Sequence, residues 1–217
     1  MLAAGVGVRR GWSWVLRAAS FRMGCPETGQ LAVGIVVGRA AEATAVIDLL
    51  AGQSRPAHGE LRVMGHDMTT AAARSAVRAR VGVARRHVKP QPAIRVRGLV
   101  EHASRLTRLP AGDRDLLAAS IMDRLALAPW ADVPLRAAPE VITRRARLAA
   151  AAVHQPDLLL LDGLLDDLAP RDVAALADAI RDLARDTAIV AAGRDGTALA
   201  LISGEILTLT QGVIVRS

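Results

Sequence analysis

The sequence predicts an α/β fold in which helices cover a layered, mostly parallel sheet that is interrupted by an inserted helical subdomain. Short apolar runs at residues 31–37 and 158–161 have the length and composition of strands buried on both faces. Helical spacing of apolar residues follows each run, and strands that alternate with helices pair in parallel. Between the runs, residues 97–153 have a helical pattern that prolines interrupt.

The composition excludes several classes of protein. A chain of 217 residues, 52% of them apolar, suits a single domain with a sizeable core. Aromatic residues make up 2%, which argues against an aromatic platform for single-stranded nucleic acid. The lone cysteine, Cys25, excludes a disulfide framework. The net charge of +7 comes from arginine, and a general enrichment in Ala and Arg explains it as well as an anionic partner does.

The first 23 residues are interpreted as a strand pair. Val15 and Leu16 precede an alternating stretch that ends at Met23, and alternation is typical of a half-buried strand. The segment contains arginines and no acidic residue, so an amphipathic membrane anchor is the alternative. Residues 28–38 and 206–215 are the longest uncharged stretches. Both fall far short of the ~18 residues of a spanning helix, so we expect no transmembrane segment.

The remaining elements follow in chain order. A strand over residues 31–37 leads into a helix over residues 41–50, which ends at Gly52 as helices commonly do. A later helix begins at Pro170, since proline is favoured in the first turn. Further strands are predicted at residues 59–65, 81–84, 158–161 and 187–192, and a closing hairpin at residues 206–215.

Two stretches carry a family resemblance. Leu-Leu-Ala-Gly at residues 49–52, followed by the strand from Gly59, and Pro-Asp-Leu-Leu-Leu-Leu-Asp at residues 156–162 are the best pieces. Together with the element order, they resemble the nucleotide-binding domain of ABC transporters. The resemblance implies a P-loop NTPase-like fold and one domain over residues 1–217. Its core would comprise residues 1–84 and 156–217, and its helical subdomain residues 85–155.

The stretch that resembles the family's phosphate loop lacks the groups that bind phosphate. In the pattern G-x-x-x-x-G-K-[ST], glycines let backbone N–H groups surround phosphate oxygens, the lysine contacts the phosphates and the hydroxyl holds Mg²⁺. Here Ala43 stands at the lysine position and Glu42 brings a carboxylate, whereas Thr44 keeps the hydroxyl. Arg39 is the alternative phosphate contact. The vestigial phosphate loop thus comprises Gly38, Arg39, Ala40, Ala41, Glu42, Ala43 and Thr44.

The family's other motifs are eroded in the same way. The resemblance assigns Mg²⁺ coordination to Asp162, which forms a vestigial metal pair with Thr44. Gly163 stands in place of the catalytic glutamate and Arg194 in place of the switch histidine. The signature Leu-Ser-Gly-Gly-Gln is replaced by Ala-Pro-Glu-Val-Ile at residues 138–142, where the proline still favours a helix start.

Three further side chains near these motifs are interpreted from the sequence. Arg86 stands where the family has a glutamine after a strand. Asp166 and Asp167 are interpreted as solvated turn residues before the next helix, and a base that reaches back toward Asp162 is the alternative.

We therefore predict a degenerate ABC transporter ATP-binding subunit-like protein. It would be a non-hydrolysing partner of a membrane permease or homologous subunit, dimeric, and cytoplasmic at the inner face of the plasma membrane. We expect no cofactor, weak ATP–Mg²⁺ binding being the alternative, and no nucleic-acid partner. A functional ATPase that relies on Thr44 and Asp162 is the second reading. The third is an arginine-rich binder of nucleic acid or anionic lipid, based on residues 78–80, 85–86 and 144–147.

Overall fold

The computed structural model describes residues 1–10, 13–22, 32–87, 94–106 and 110–216. Within these residues the strands, in chain order, are β1 (Leu2–Arg10), β2 (Ser13–Arg22), β3 (Ala32–Val37), β4 (His58–Val63), β5 (His66–Asp67), β6 (Val81–Arg85), β7 (Leu158–Asp162), β8 (Ala188–Gly193), β9 (Glu205–Thr210) and β10 (Val213–Arg216). The α-helices are α1 (Ala40–Leu50), α2 (Ala71–Arg78), α3 (Val96–Arg105), α4 (Ala111–Arg124), α5 (Glu140–Ala152), α6 (Pro170–Leu183) and α7 (Gly196–Ala200).

The main sheet has six strands in the order β10-β9-β3-β8-β7-β6. Each pair from β9 to β6 is parallel, and the closing hairpin of β9 and β10 is antiparallel. β7 is buried along its whole length, as expected for a strand covered on both faces. The predicted α/β fold with a mostly parallel sheet is confirmed.

A second sheet is antiparallel and has the order β2-β1-β4-β5. β1 and β2 pair with each other, and Val6 and Leu16 are fully buried. The predicted N-terminal strand pair is therefore confirmed, and the amphipathic anchor is wrong for the described part of this segment. Met23 and Cys25 lie outside the described residues.

Two apolar clusters cover opposite faces of the main sheet. Leu159 and Leu161 belong to the cluster that includes residues of α3 to α7, whereas Leu158 and Leu160 belong to the cluster of α1 and the second sheet. Alternation along β7 explains this division, because successive side chains of a strand point to opposite faces. α1 is thereby fixed between the main sheet and the second sheet, at the side where the candidate site forms.

The helical region predicted between β6 and β7 contains α3, α4 and α5. Pro110 precedes α4 and Pro139 precedes α5 directly. Prolines thus interrupt the helical pattern as predicted, and the predicted helix start at Pro139 is confirmed. Residues 107–109 lie outside the described chain. In the described residues, none of the helices combines the length and the apolar character that crossing a bilayer requires.

Two short helices, α2 and α7, were not predicted. Each begins with a capping side chain: Thr70 accepts a hydrogen bond from the backbone N–H of Ala73 at 3.2 Å, and Asp195 accepts one from Ala198 at 3.0 Å. Helices of eight and five residues are too short for apolar periodicity to reveal them. In the sequence, the capping residues Thr70 and Asp195 could have indicated where these two helices begin.

Candidate functional site

The candidate site lies at the carboxyl ends of four adjacent parallel strands. β3, β8, β7 and β6 are neighbours in the main sheet and end at Val37, Gly193, Asp162 and Arg85. Ligands of open α/β sheets bind outside this edge, where the segments that follow the strands converge. Each site residue predicted from the sequence lies at the end of one of these strands, directly follows it or lies in the first two turns of α1. The fold therefore brings them together.

The connection between β3 and α1 contains only Gly38 and Arg39, because α1 begins at Ala40. The predicted order of strand, turn and helix is confirmed, and the helix begins one residue before the predicted start at residue 41. Alanine at positions 40 and 41 is the physical reason, since it has the highest helix propensity and glycine the lowest after proline. The segment has become the first turn of the helix.

Glu42 places its own carboxylate at the N-terminus of α1. Its Oε2 accepts a hydrogen bond from the backbone N–H of Arg39 at 3.0 Å. Its Oε1 accepts two more from Nε and Nη2 of Arg39, at 3.0 and 2.8 Å. The Glu42 side chain is 13% exposed. A helix N-terminus attracts anions, and in this protein a residue of the helix itself supplies the anion.

Asp162 is held from two sides. Its Oδ1 accepts a hydrogen bond from Thr44 Oγ1 at 3.2 Å, and its Oδ2 accepts one from Arg85 Nη1 at 2.9 Å. Burial raises the pKa of Asp162 above its ordinary value, while Thr44 and Arg85 act in the opposite direction. Thr44 and Asp162, the pair predicted from the family resemblance, are thus in direct contact. Their role as metal ligands stays a prediction.

Arg85 is a site residue that sequence reasoning missed. Its Nη2 donates hydrogen bonds to Asp48 Oδ1 at 2.5 Å and to Gln53 Oε1 at 2.8 Å. In the parallel pair of β6 and β7, Arg85 lies directly opposite Asp162. A signal was available, because both residues follow a four-residue apolar strand immediately. Pairing those strands end to end would have brought the two charges together.

Gly163 adopts a backbone conformation that favours glycine. Its φ is +62°, and a side chain in this left-handed region costs about 1–2 kcal/mol. A Cβ atom at this position would lie 3.3 Å from Oδ2 of Asp166. The position that the resemblance assigns to a catalytic glutamate therefore has neither the side chain nor a backbone that readily accepts one.

Asp166 is buried, being 2% exposed, so the prediction of a solvated turn residue is wrong for this position. Its Oδ1 accepts hydrogen bonds from the backbone N–H groups of Arg194 at 2.9 Å and Asp195 at 3.4 Å. Its Oδ2 lies 3.5 Å from Nε of Arg194. The carboxylate thus ties the segment after β7 to the segment after β8. Its partners are 28 and 29 residues away in sequence, which is why a local pattern did not indicate them.

Asp167 is the exposed neighbour, with a side chain 52% exposed that contacts both Arg86 and Arg194. The hydrogen bond from Arg86 lowers the pKa of Asp167 below its ordinary value, and the charge of Arg194 acts in the same direction. The residues at the family's glutamine and switch-histidine positions therefore share one carboxylate partner. A guanidinium carries only N–H donors, so Arg194 does not offer the acceptor nitrogen that a neutral imidazole has.

The start of α5 is tied to the segment after β7 by a buried arginine. Glu140 is its first residue, and Glu140 Oε1 accepts a hydrogen bond from Arg144 Nε at 2.8 Å. Arg144 Nη1 donates to the carbonyl oxygens of Leu164 at 2.9 Å and Asp166 at 2.5 Å. Arg144 is 1% exposed, so this residue of the 144–147 cluster does not offer its charge to a partner at the surface.

The other arginines of the three clusters also make contacts within the chain, and the pair of Arg80 with Asp157 lies at the surface. Arg78 donates to the carbonyl of Gly52 at 2.7 Å, Arg80 to Asp157 Oδ2 at 2.6 Å, Arg145 to the carbonyl of Ala175 at 2.8 Å, and Arg147 to the carbonyl of Arg86. These guanidinium groups therefore have hydrogen-bond acceptors within the chain itself. The clusters therefore give no support to a nucleic-acid or lipid binder.

Comparison with solved structures defines the class of this fold. It superposes on cbiO1 from Clostridium perfringens, part of the ABC transporter complex cbiONQ, with a TM-score of 0.84 and 14% identity, over 99% of this chain and 86% of that chain. It superposes on the ATP-binding cassette MJ0796, in a dimeric post-hydrolysis state bound to ADP and Pi, with a TM-score of 0.81 and 13% identity, over 100% and 97%. The fold is that of an ATP-binding cassette.

Sequence comparison identifies the family. The family model described as ABC transporter matches residues 43–165, which is more than half of the chain. The chain therefore belongs to the ABC transporter family and is an ATP-binding subunit-like protein. It is 30% identical over 150 residues to the daunorubicin resistance ATP-binding protein DrrA3 of Streptomyces coeruleorubidus, covering 69% of this chain and 47% of that protein. The chain thus spans about half the length of this curated relative.

Proposed function

We propose that this protein is a non-hydrolysing member of the ABC transporter family that acts as a structural or regulatory partner of a membrane permease, a homologous subunit or both. It would act in the cytoplasm, at the inner face of the plasma membrane, as part of a dimer. The division into a core of residues 1–84 and 156–217 and a helical subdomain of residues 85–155 stays a prediction.

The start of α1 is the observation that carries this proposal. A phosphate cradle needs backbone N–H groups that are free to point at phosphate oxygens. Here the N–H groups of Glu42 and Ala43 donate to the carbonyl of Arg39 at 2.9 and 3.4 Å, and the N–H of Arg39 donates to Glu42. A triphosphate at this position would meet the Glu42 carboxylate, and like charges ~4 Å apart repel by about 1–4 kcal/mol. These residues do not fit Mg²⁺–ATP.

The loss of the groups that would perform hydrolysis supports the same conclusion. Ala43 supplies no ammonium to the β and γ phosphates, and Gly163 supplies no base to polarise water. Arg194 offers only N–H donors, and these contact two aspartates, Asp166 and Asp167. The family match itself begins at Ala43, after the first five residues of the stretch that resembles the phosphate loop.

The proposed partners follow from the family and from an exposed apolar surface. One fold relative is named as part of a transporter complex and another as a dimer. In this chain an open cavity of about 900 Å³ lies beside β6, and Leu99, Leu106 and His154 are among its lining residues. Leu106 is 77% exposed. A partner that covered this cavity would remove the apolar surface of Leu106 from water.

A working ATPase is the second candidate, and the contact between Thr44 and Asp162 favours it. Hydroxyl and carboxylate oxygens of this type coordinate Mg²⁺ beside a bound nucleotide. Thr44 Oγ1 lies 3.2 Å from Asp162 Oδ1. On this reading Arg39 would replace the missing lysine. Its present bond to Glu42 would first have to break.

Equilibrium binding of fluorescent ATP in the presence of Mg²⁺ tests the proposal. For the wild type we expect a dissociation constant for ATP above about 1 mM and no release of phosphate. Each ~1.4 kcal/mol of binding free energy that is lost lowers the affinity tenfold. An intact ATP-binding cassette such as MJ0796 is the positive control. Micromolar affinity together with ATP turnover that disappears in Asp162→Ala would overturn the proposal and establish the second candidate.

A further inference from the structure

We propose that Arg85 is a built-in cation that takes the place of a divalent metal ion at Asp162 and joins α1 to the ends of β6 and β7. The inference rests on the proposed function, because it assumes that the working protein holds no metal ion at Asp162. The Arg85 side chain would supply the positive charge that a bound metal ion would otherwise supply to Asp162.

The position of the guanidinium supports this role. Arg85 ends β6 and lies opposite Asp162 at the end of β7. One arm of its fork, Nη1, donates to Asp162 at 2.9 Å, and the other, Nη2, donates to Asp48 at 2.5 Å and Gln53 at 2.8 Å. Asp48 belongs to α1, and Gln53 follows it. One planar cation thereby connects three elements, which is the geometry for which arginine is suited.

The oxygen atoms around Arg85 are of the kind that a divalent cation prefers. Two carboxylates, from Asp48 and Asp162, and the amide oxygen of Gln53 accept its hydrogen bonds, and the hydroxyl of Thr44 contacts Asp162. Hard cations such as Mg²⁺ take such oxygen ligands. Within the described residues there is no cluster of three or more His, Cys, Asp or Glu side chains that could hold a metal. The guanidinium of Arg85 thus occupies the space between the two carboxylates in which a metal ion would otherwise bind.

The three charged side chains are partly shielded from water. The exposed fractions are 10% for Asp162, 21% for Arg85 and 24% for Asp48. Removal of Arg85 leaves two carboxylates, those of Asp48 and Asp162, without their cationic partner and only partly hydrated, which destabilises the folded state. In a variant without Arg85, these carboxylates should bind a cation from solution, which the wild type should not bind there.

Thermal unfolding of Arg85→Met, with and without MgCl₂, tests this assignment. We expect the midpoint to fall by roughly 5 °C, since an arginine of this exposure contributes part of a buried ion pair. Mg²⁺ at about 10 mM should raise the midpoint of Arg85→Met by about 3 °C and leave the wild type unchanged. Adding Asp162→Asn to this variant should abolish the effect of Mg²⁺.

Arg80→Met is the matched control, because Arg80 pairs with Asp157 at the surface, where both side chains are about half exposed. Its midpoint should stay within about 1 °C of the wild type. An Arg85→Met midpoint no lower than that of Arg80→Met would overturn the assignment, as would an equal Mg²⁺ effect on the wild type. If Arg85→Met does not fold, a folded Arg85→Met/Asp162→Asn double variant supports it and an unfolded one contradicts it.

Thermal unfolding of the Arg85 variants and ATP binding by the wild type can contradict their respective proposals independently. ATP binding by the wild type would overturn the proposed function whatever the midpoints of these variants. Equal unfolding midpoints for the Arg85 and Arg80 variants would overturn the role of Arg85 and would not contradict the proposed loss of ATP binding.

Discussion

Replacing Arg144 with methionine is expected to lower the free energy of unfolding by about 3–5 kcal/mol, the largest effect of any substitution at this site. The side chain is 2% exposed and donates to Glu140 and to the carbonyls of Leu164 and Asp166. Methionine fills a similar volume but donates no hydrogen bond, so the two carbonyls lose this donor inside the protein. Urea unfolding at neutral pH, followed by circular dichroism, measures the change.

Arg105→Met is the matched control for this prediction. Arg105 also pairs with a glutamate four residues earlier in its helix, Glu101, but its side chain is 67% exposed and the contact is 3.7 Å. Surface pairs of this kind contribute about 0.3–0.5 kcal/mol. Arg144→Lys should recover only part of the stability, since an ammonium lacks the planar fork. Equal losses in Arg144→Met and Arg105→Met would show that the buried contacts do not stabilise the fold.

Replacing Asp166 with alanine is expected to have the second largest effect, a loss of about 2–4 kcal/mol. The carboxylate is 2% exposed and accepts hydrogen bonds from two backbone N–H groups, those of Arg194 and Asp195. Alanine leaves both donors without this acceptor and removes the charge that faces Arg194. Asp166→Asn should lose less, because its amide oxygen still accepts. Urea unfolding gives the loss, and amide hydrogen exchange at residues 194 and 195 gives its location.

The neighbouring residue supplies the control. Asp167→Ala removes a carboxylate that also contacts Arg194, but from a side chain that is 52% exposed. Its unfolding midpoint should lie close to that of the wild type, because exposed ion pairs contribute little. If Asp167→Ala destabilised the protein as much as Asp166→Ala, the buried hydrogen bonds would not explain the effect.

The elements of the main sheet could be predicted from the sequence because burial on both faces has a clear signature. The leucines at residues 158–161 and the valine-rich run before Gly38 are continuous apolar stretches of strand length. Both lie in strands, β7 and β3. Prolines and glycines likewise marked helix starts and turns, since their backbone preferences are local.

The interior of the site was less predictable, because its contacts join residues far apart in sequence. Arg85 and Asp162 are 77 residues apart, and Asp166 and Arg194 are 28 apart. The sequence does not distinguish a buried arginine such as Arg144 from a solvated one. Arg144 is buried because α5 packs against the segment after β7. The early start of α1 was missed because a motif alignment assigned Ala40 a loop although its propensity favours a helix.

Amide hydrogen exchange across residues 38–44, with and without millimolar Mg²⁺–ATP, tests the central claim most directly. The claim is that Glu42 already occupies the N-terminus of α1, so that no triphosphate binds there. We predict the same exchange rates in this segment in both conditions, while an intact ATP-binding cassette becomes protected in its phosphate loop. Slower exchange of residues 38–44 on addition of nucleotide would contradict the account.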